Sequence, residues 1–131
     1  MKDISNMFQS ADWKKEKHVP VIDAPERASK GQDVVAKVTV GKEITHPNTT
    51  EHHITWIDLY FHPEGGKFPC NLGRFAFTAH GASTEGPNTS TVYTHPVATV
   101  TFKTDRSGSI IAVSNCNIHG LWTDSRELKV D

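Results

Sequence analysis

The sequence predicts an all-β chain, an antiparallel β-sandwich of about seven short strands, on three observations. Runs with period-two alternation recur along it, those runs are rich in β-branched and aromatic residues, and Gly, Pro, Asn, Asp and Ser separate them at short intervals. No stretch sustains a 3.6-residue period beyond residues 4–10, where a short helix is expected, and no internal repeat is visible.

In chain order, a first strand is expected at 17–22. Residues 33–40 follow, with Val34, Ala36, Val38 and Val40 on one face and Val35, Lys37 and Thr39 on the other, the pattern of a half-buried strand. In residues 52–62, Ile57, Leu59 and Phe61 share a face with His53 and Thr55. Ile54, Trp56, Asp58 and Tyr60 share the other with His52, so both faces are expected to be covered. Further strands are expected at 74–78, 97–103, 109–114 and 126–130, with Pro96 at an edge or bend and Asp-Arg-Ser-Gly at 105–108 as a hairpin turn. Residues 81–91 form the main loop, too short and too embedded to link domains. Residues 1–131 are therefore read as a single domain, in keeping with a mass of 14.5 kDa.

Composition narrows the function classes. Fourteen Lys and Arg against fifteen Asp and Glu give a net charge of −1 and a pI near 6.7, which offers no electrostatic case for nucleic acid or anionic lipid. Hydrophobic residues at 36%, charged residues at 22% and a mean hydropathy of −0.47 describe a soluble globule. The longest apolar stretch, 54–61, is broken by Thr55 and Asp58 and falls far short of the ~18 to 20 residues of a membrane span, so no membrane association is expected. Residues 1–13 carry Lys2, Asp3 and Asp12 and no apolar core of a signal peptide, which makes the cytoplasm the expected location. Cys70 and Cys116 cannot form a disulfide framework and are expected as free or metal-bound thiols. Cys70, with no histidine nearby in sequence, is expected to be a buried free thiol.

The unusual count is eight histidines. Three clusters hold a metal-ligand inventory: Glu16-Lys17-His18, the run from His46 to His53, and Cys116-Asn117-Ile118-His119-Gly120. Cys-x-x-His joins a thiolate and an imidazole in one tight turn, and Gly120 permits the backbone angles such a turn needs. Pro47 stiffens the loop that ends in His46 and His52, and Glu16 and His18 project to one side of an extended segment while Lys17 starts on the other. Taken singly, each residue also reads as structural: Glu16 and Lys17 as a solvated charge pair, the histidines as turn residues, Cys116 as a small core residue. Their concurrence beside turn signals, in a chain with no other chemistry-bearing motif, favours a metal site. His53, His62, His80 and His95 are read as structural, at strand, loop or strand-end positions.

Glu-Lys-His-Val-Pro at 16–20, His-Pro-Asn-x3-His-His-Ile-x-Trp-Ile at 46–57 and Cys-Asn-Ile-His-Gly-Leu-Trp at 116–122 closely resemble the one-iron superoxide reductases called neelaredoxins. The resemblance runs through nearly the whole chain, including residues 65–69, 79–82 and 86–90. It implies an immunoglobulin-like sandwich holding one mononuclear non-haem iron, with His18, His46, His52 and His119 as equatorial ligands and Cys116 as the axial thiolate. It further implies that Glu16 fills the sixth position in the oxidised form, that Lys17 stands near that position, and that the reaction reduces superoxide to hydrogen peroxide. The additional four-cysteine domain of desulfoferrodoxins is not expected here, so the electron would come from a small external donor such as rubredoxin. Similarity to neelaredoxins also implies a homotetramer.

Charge counting supports this chemistry: four neutral imidazoles and one thiolate around ferrous iron leave a formal +1, which favours an anion at an open position. Iron supports the electron step and zinc does not. A cupredoxin-like electron-transfer protein is the alternative, but it leaves histidines unused and finds its only methionines, Met1 and Met7, at the far end of the chain.

Overall fold

The computed structural model describes residues 2–131. A single 3-10 turn, Ile4–Met7, opens it, capped by the Asp3 carboxylate, which accepts from the Ser5 amide. Eight strands follow: β1 Pro20–Asp23, β2 Arg27–Ala28, β3 Val34–Val40, β4 Ile54–Pro63, β5 Cys70–Ala76, β6 Val97–Phe102, β7 Gly108–Cys116 and β8 Gly120–Val130. They form two sheets, β1-β3-β6 and β2-β8-β7-β4-β5. The chain is an all-β sandwich, and its strand pairs are antiparallel apart from the short β2 beside β8.

Alternation decides which faces meet. Val34, Ala36 and Val38 of β3 turn inward, as do Ile110, Ala112 and Cys116 of β7 and Ile57, Leu59 and Phe61 of β4, and together they make one core between the sheets. Burying each Val, Ile, Leu or Phe among them stabilises the fold by about 1.5–3 kcal/mol. Asp58 is the buried charge on the other face of β4. Arg74 of β5 donates to both its oxygens at 2.7 and 2.8 Å, and the Tyr60 hydroxyl donates to it at 3.1 Å.

At the start of β4 the strict alternation expected from the sequence fails. Ile54 pairs with Cys116 and Trp56 with Asn115, so Thr55 is an extra residue opposite β7 and forms a β-bulge. The bulge turns Ile54 into the same core as Ile57 instead of onto the opposite face.

Other expectations change too. Residues 105–108 do not close a hairpin, because β6 and β7 belong to different sheets and the turn carries the chain from one to the other. Gly108 is required there by close approach: a Cβ would lie 2.3 Å from the His62 carbonyl oxygen. The last strand starts at Gly120 rather than at 126, because Leu121 to Ser125 pair along β7. The expected helix over 4–10 is only the one 3-10 turn, after which Gln9 bridges to Trp122. Cys70 is exposed, not buried, since it opens β5, the outermost strand of its sheet.

The register brings one end of the sandwich together. The end of β7, the start of β8 and the start of β4 are adjacent, and Ser114 of β7 donates to the His18 carbonyl at 3.1 Å, which ties the segment before β1 to the same end. The connections that carry Glu16, His46, His52 and Cys116 therefore converge.

Candidate metal centre

β7 and β8 are joined by Asn117, Ile118 and His119, with Cys116 paired to Gly120. Gly120 has φ +77°, a left-handed conformation that costs a residue with a Cβ about 1–2 kcal/mol. The turn points Cys116 Sγ inward at 1% exposure and leaves His119 at the surface. The His119 amide donates to Sγ at 3.4 Å, and His119 Nδ1 stands 3.7 Å from the same sulfur.

His18, just before β1, is buried. Its Nδ1 donates to Glu16 Oε1 at 2.6 Å and its amide to the same oxygen at 3.2 Å, which leaves the Nε2 lone pair facing His119 Nδ1 at 3.1 Å. Trp122 stacks on the His18 ring with centroids 5.0 Å apart. His46 is also buried, and its Nδ1 donates to the Pro47 carbonyl at 2.7 Å. Gly41, at φ +82°, lets the loop fold back, since a Cβ there would lie 2.6 Å from the His46 backbone nitrogen. A turn closed by Thr49 N donating to the His52 carbonyl at 2.9 Å, and by the His52 amide donating to Thr49 Oγ1 at 3.0 Å, presents His52.

Ligand atoms of His18, His52, Cys116 and His119 all lie within 4.8 Å of one another. The His46 ring packs against two of these residues, 4.8 Å from His18 and 4.7 Å from His52 between centroids. His46 Nε2 and His52 Nε2 are buried with no hydrogen-bond partner. Such orphaned atoms cost about 1–3 kcal/mol each unless something takes their lone pairs. A bound cation does so, and a donor set of imidazoles and one thiolate suits a first-row transition metal. Burial pushes His46 down to about 4 and lowers His52, with neighbouring positive charge adding to both, so the rings stay neutral and able to ligate near pH 7.

Glu16 lies on the outward side of His18, not among the clustered ligand atoms. The hydrogen bond from His18 holds its carboxyl below the usual range. Lys17 is half-buried beside His18 in sequence, and its charge contributes to lowering both His46 and His52. The sequence reading missed Trp122 and Asn117. Asn117 stitches the two ligand-bearing loops together: its Oδ1 accepts from the His53 amide at 2.8 Å and its Nδ2 donates to the Glu51 carbonyl at 2.9 Å. Its place within Cys-x-x-His was the available signal. His53, His62, His80 and His95 are not among the clustered ligand atoms; nor is His46, whose ring packs beside them.

The family described as Desulfoferrodoxin matches residues 10–125. The chain is 56% identical to the superoxide reductase of Pyrococcus furiosus, over 96% of this chain and 99% of that one. It is 51% identical to the neelaredoxin of Megalodesulfovibrio gigas, over 92% and 93%. Its structure is similar to the superoxide reductase (neelaredoxin) of Archaeoglobus fulgidus in the reduced form, with a TM-score of 0.86, 61% identity, and coverage of 93% and 98%. With its sandwich, its converging loops and a match over most of its length, the chain belongs to the desulfoferrodoxin family.

Proposed function

We infer that the chain is a superoxide reductase that takes one electron from an external donor and two protons to convert superoxide to hydrogen peroxide. The observation that carries this reading is the cluster of imidazole nitrogens and one thiolate with two buried, partnerless Nε2 atoms, in a chain of this family. His18, His46, His52 and His119 with Cys116 would hold one iron, through Nε2 of the first three and Nδ1 of His119. Iron supplies a one-electron reductant and an electrophilic position for a small anion.

The residues around it divide the remaining work. Lys17 adds positive charge on the cluster side, which raises the local concentration of an anionic substrate. Cys116 Sγ accepts from the His119 amide at 3.4 Å, a hydrogen bond that draws charge off the thiolate and tunes its donation. Glu16 fixes the His18 tautomer, so that Nε2 is the free nitrogen. With an oxidised iron bound, the Glu16 carboxylate, which here accepts from His18, would be the nearby anion able to offset the added positive charge and so favour release of peroxide. A small iron-sulfur protein such as rubredoxin is the proposed donor, a homotetramer the proposed assembly and the cytoplasm the proposed location. Residues 1–131 act as a single domain.

Metal analysis with a visible spectrum tests this reading. One iron per chain is expected, with a thiolate-to-ferric band that bleaches on reduction. Cys116→Ser removes the band, and Cys70→Ser, on the outer strand, keeps it. Loss of the band in the Cys70 variant alone would overturn the ligand assignment.

A further inference from the structure

The loop between β3 and β4 carries both His46 and His52, and its own closed turn spans only residues 49–52. Besides the bonds from Asn117 to Glu51 and His53, the 77–95 segment holds it. Asn48 Nδ2 donates to the Thr94 carbonyl at 2.5 Å, Asn48 Oδ1 faces His80 Nδ1 at 2.8 Å, and His80 Nε2 faces the Phe77 carbonyl at 2.6 Å. The His80 ring lies flat on His53, with centroids 3.6 Å apart and planes 7° from parallel. Asn88, at φ 60°, adds a second tie: its Oδ1 accepts from the Thr50 amide at 2.9 Å and its Nδ2 donates to the Glu51 carboxylate.

The chain of hydrogen bonds through Asn48 and His80 begins and ends on backbone carbonyls, which only accept. An amide donates on one side and accepts on the other, so the imidazole between Asn48 Oδ1 and Phe77 O has to donate from both nitrogens, and a neutral ring carries one N–H. Turning the Asn48 amide over gives no relief, because its oxygen would then face Thr94 O. All three contacts are satisfied together only when the ring is an imidazolium.

We propose that His80 is a positioning residue of the metal centre, an imidazolium that ties Asn48, and with it the loop bearing His46 and His52, to the 77–95 segment. This rests on the reading of His46 and His52 as ligands. Burial, and after it the stacked His53, whose Nδ1 is engaged by the Thr49 carbonyl, hold the His80 pKa below the ordinary histidine value, against the Phe77 carbonyl, which raises it, so the imidazolium forms on the acid side of the usual histidine range. Among the described residues, His53 is the titratable group packed against the ring, and no carboxylate bonds to it. The tie is therefore strongest in mild acid, and it loses one hydrogen bond as the pH rises and the ring sheds a proton.

Two measurements test this. In nitrogen-15 histidine NMR of the zinc-substituted protein followed downward from pH 7, both His80 ring nitrogens should become protonated while the fold is intact; a ring nitrogen that stays unprotonated down to acid unfolding would overturn the proposal. His80→Phe keeps a flat ring on His53 and removes both donors. It should release iron(II) to a chelator roughly tenfold faster than the parent at pH 6, with the ratio falling toward one by pH 9. A ratio of one throughout, or a raised ratio that does not change with pH, would leave His80 as packing and refute the role. His46→Ala serves as the control: if it holds iron as tightly as the parent, the ligand reading fails, whatever the ring protonation shows.

Discussion

In His18 and His46 the outward ring nitrogen is tied to an acceptor, Glu16 Oε1 and the Pro47 carbonyl, and the inward nitrogen is left as a lone pair. The residue types needed for this were legible in the three motifs. The partner of each nitrogen was not, because a motif names side chains and not the side of the ring that each neighbour reaches. Glu16 shows the difference, since the resemblance implies a ligand and the fold places the carboxylate behind His18. Glu16→Ala should weaken metal binding about 10- to 100-fold by removing that partner, and should let azide bind the oxidised protein more tightly. Glu16→Gln, which keeps a hydrogen-bond acceptor, should recover most of the metal affinity. Metal competition and azide titration check both effects, and unchanged values in the Ala variant would make Glu16 a surface charge. Cys70 was misread for a related reason. A lone cysteine after proline carries no signal of which strand lies at a sheet edge.

The strands themselves were legible where one face is buried and the other open. β3 follows its alternation through Val38, with Val34, Ala36 and Val38 inside and Val35 and Lys37 outside, while Thr39 on the outer side is buried as well. β4 does not, because the bulge at Thr55 shifts the period by one residue, and a pattern alone cannot show an extra residue that only the partner strand defines. The turn signal at 105–108 was real, but turn chemistry reports a reversal and not which strand pairs with which. The first half of β8 is half-buried on both faces and so carries no alternation to read. The turn after β7 is the element on which the site depends most, and Gly120 at φ +77° is its hinge. Gly120→Ala meets no neighbour within 4 Å, so its cost is conformational, about 1–2 kcal/mol of stability. Chemical denaturation should read that loss together with a displaced Cys116 thiolate band. An unaltered midpoint would mean that the turn relaxes without strain.

Across the whole molecule, two sheets bring three separate stretches of sequence to one end of the sandwich, and a net charge of −1 leaves attraction of an anion to the local field of the centre. The sandwich class was legible because alternation and turn spacing are local properties. The convergence of the loops was not, because it depends on register across the sheets. The molecule is a superoxide reductase, and the proposed site favours reduction over dismutation. Dismutation requires the oxidised centre to accept an electron from a second superoxide, and the closure proposed for Glu16, together with donation from a Cys116 thiolate, would oppose that half-reaction. The direct measurement is donor oxidised against superoxide consumed under a steady superoxide flux, with oxygen evolution followed in parallel. One donor electron per superoxide, with peroxide formed and negligible oxygen above the flux background, is the expected result. Sustained turnover without donor, releasing one oxygen for every two superoxides, would contradict it.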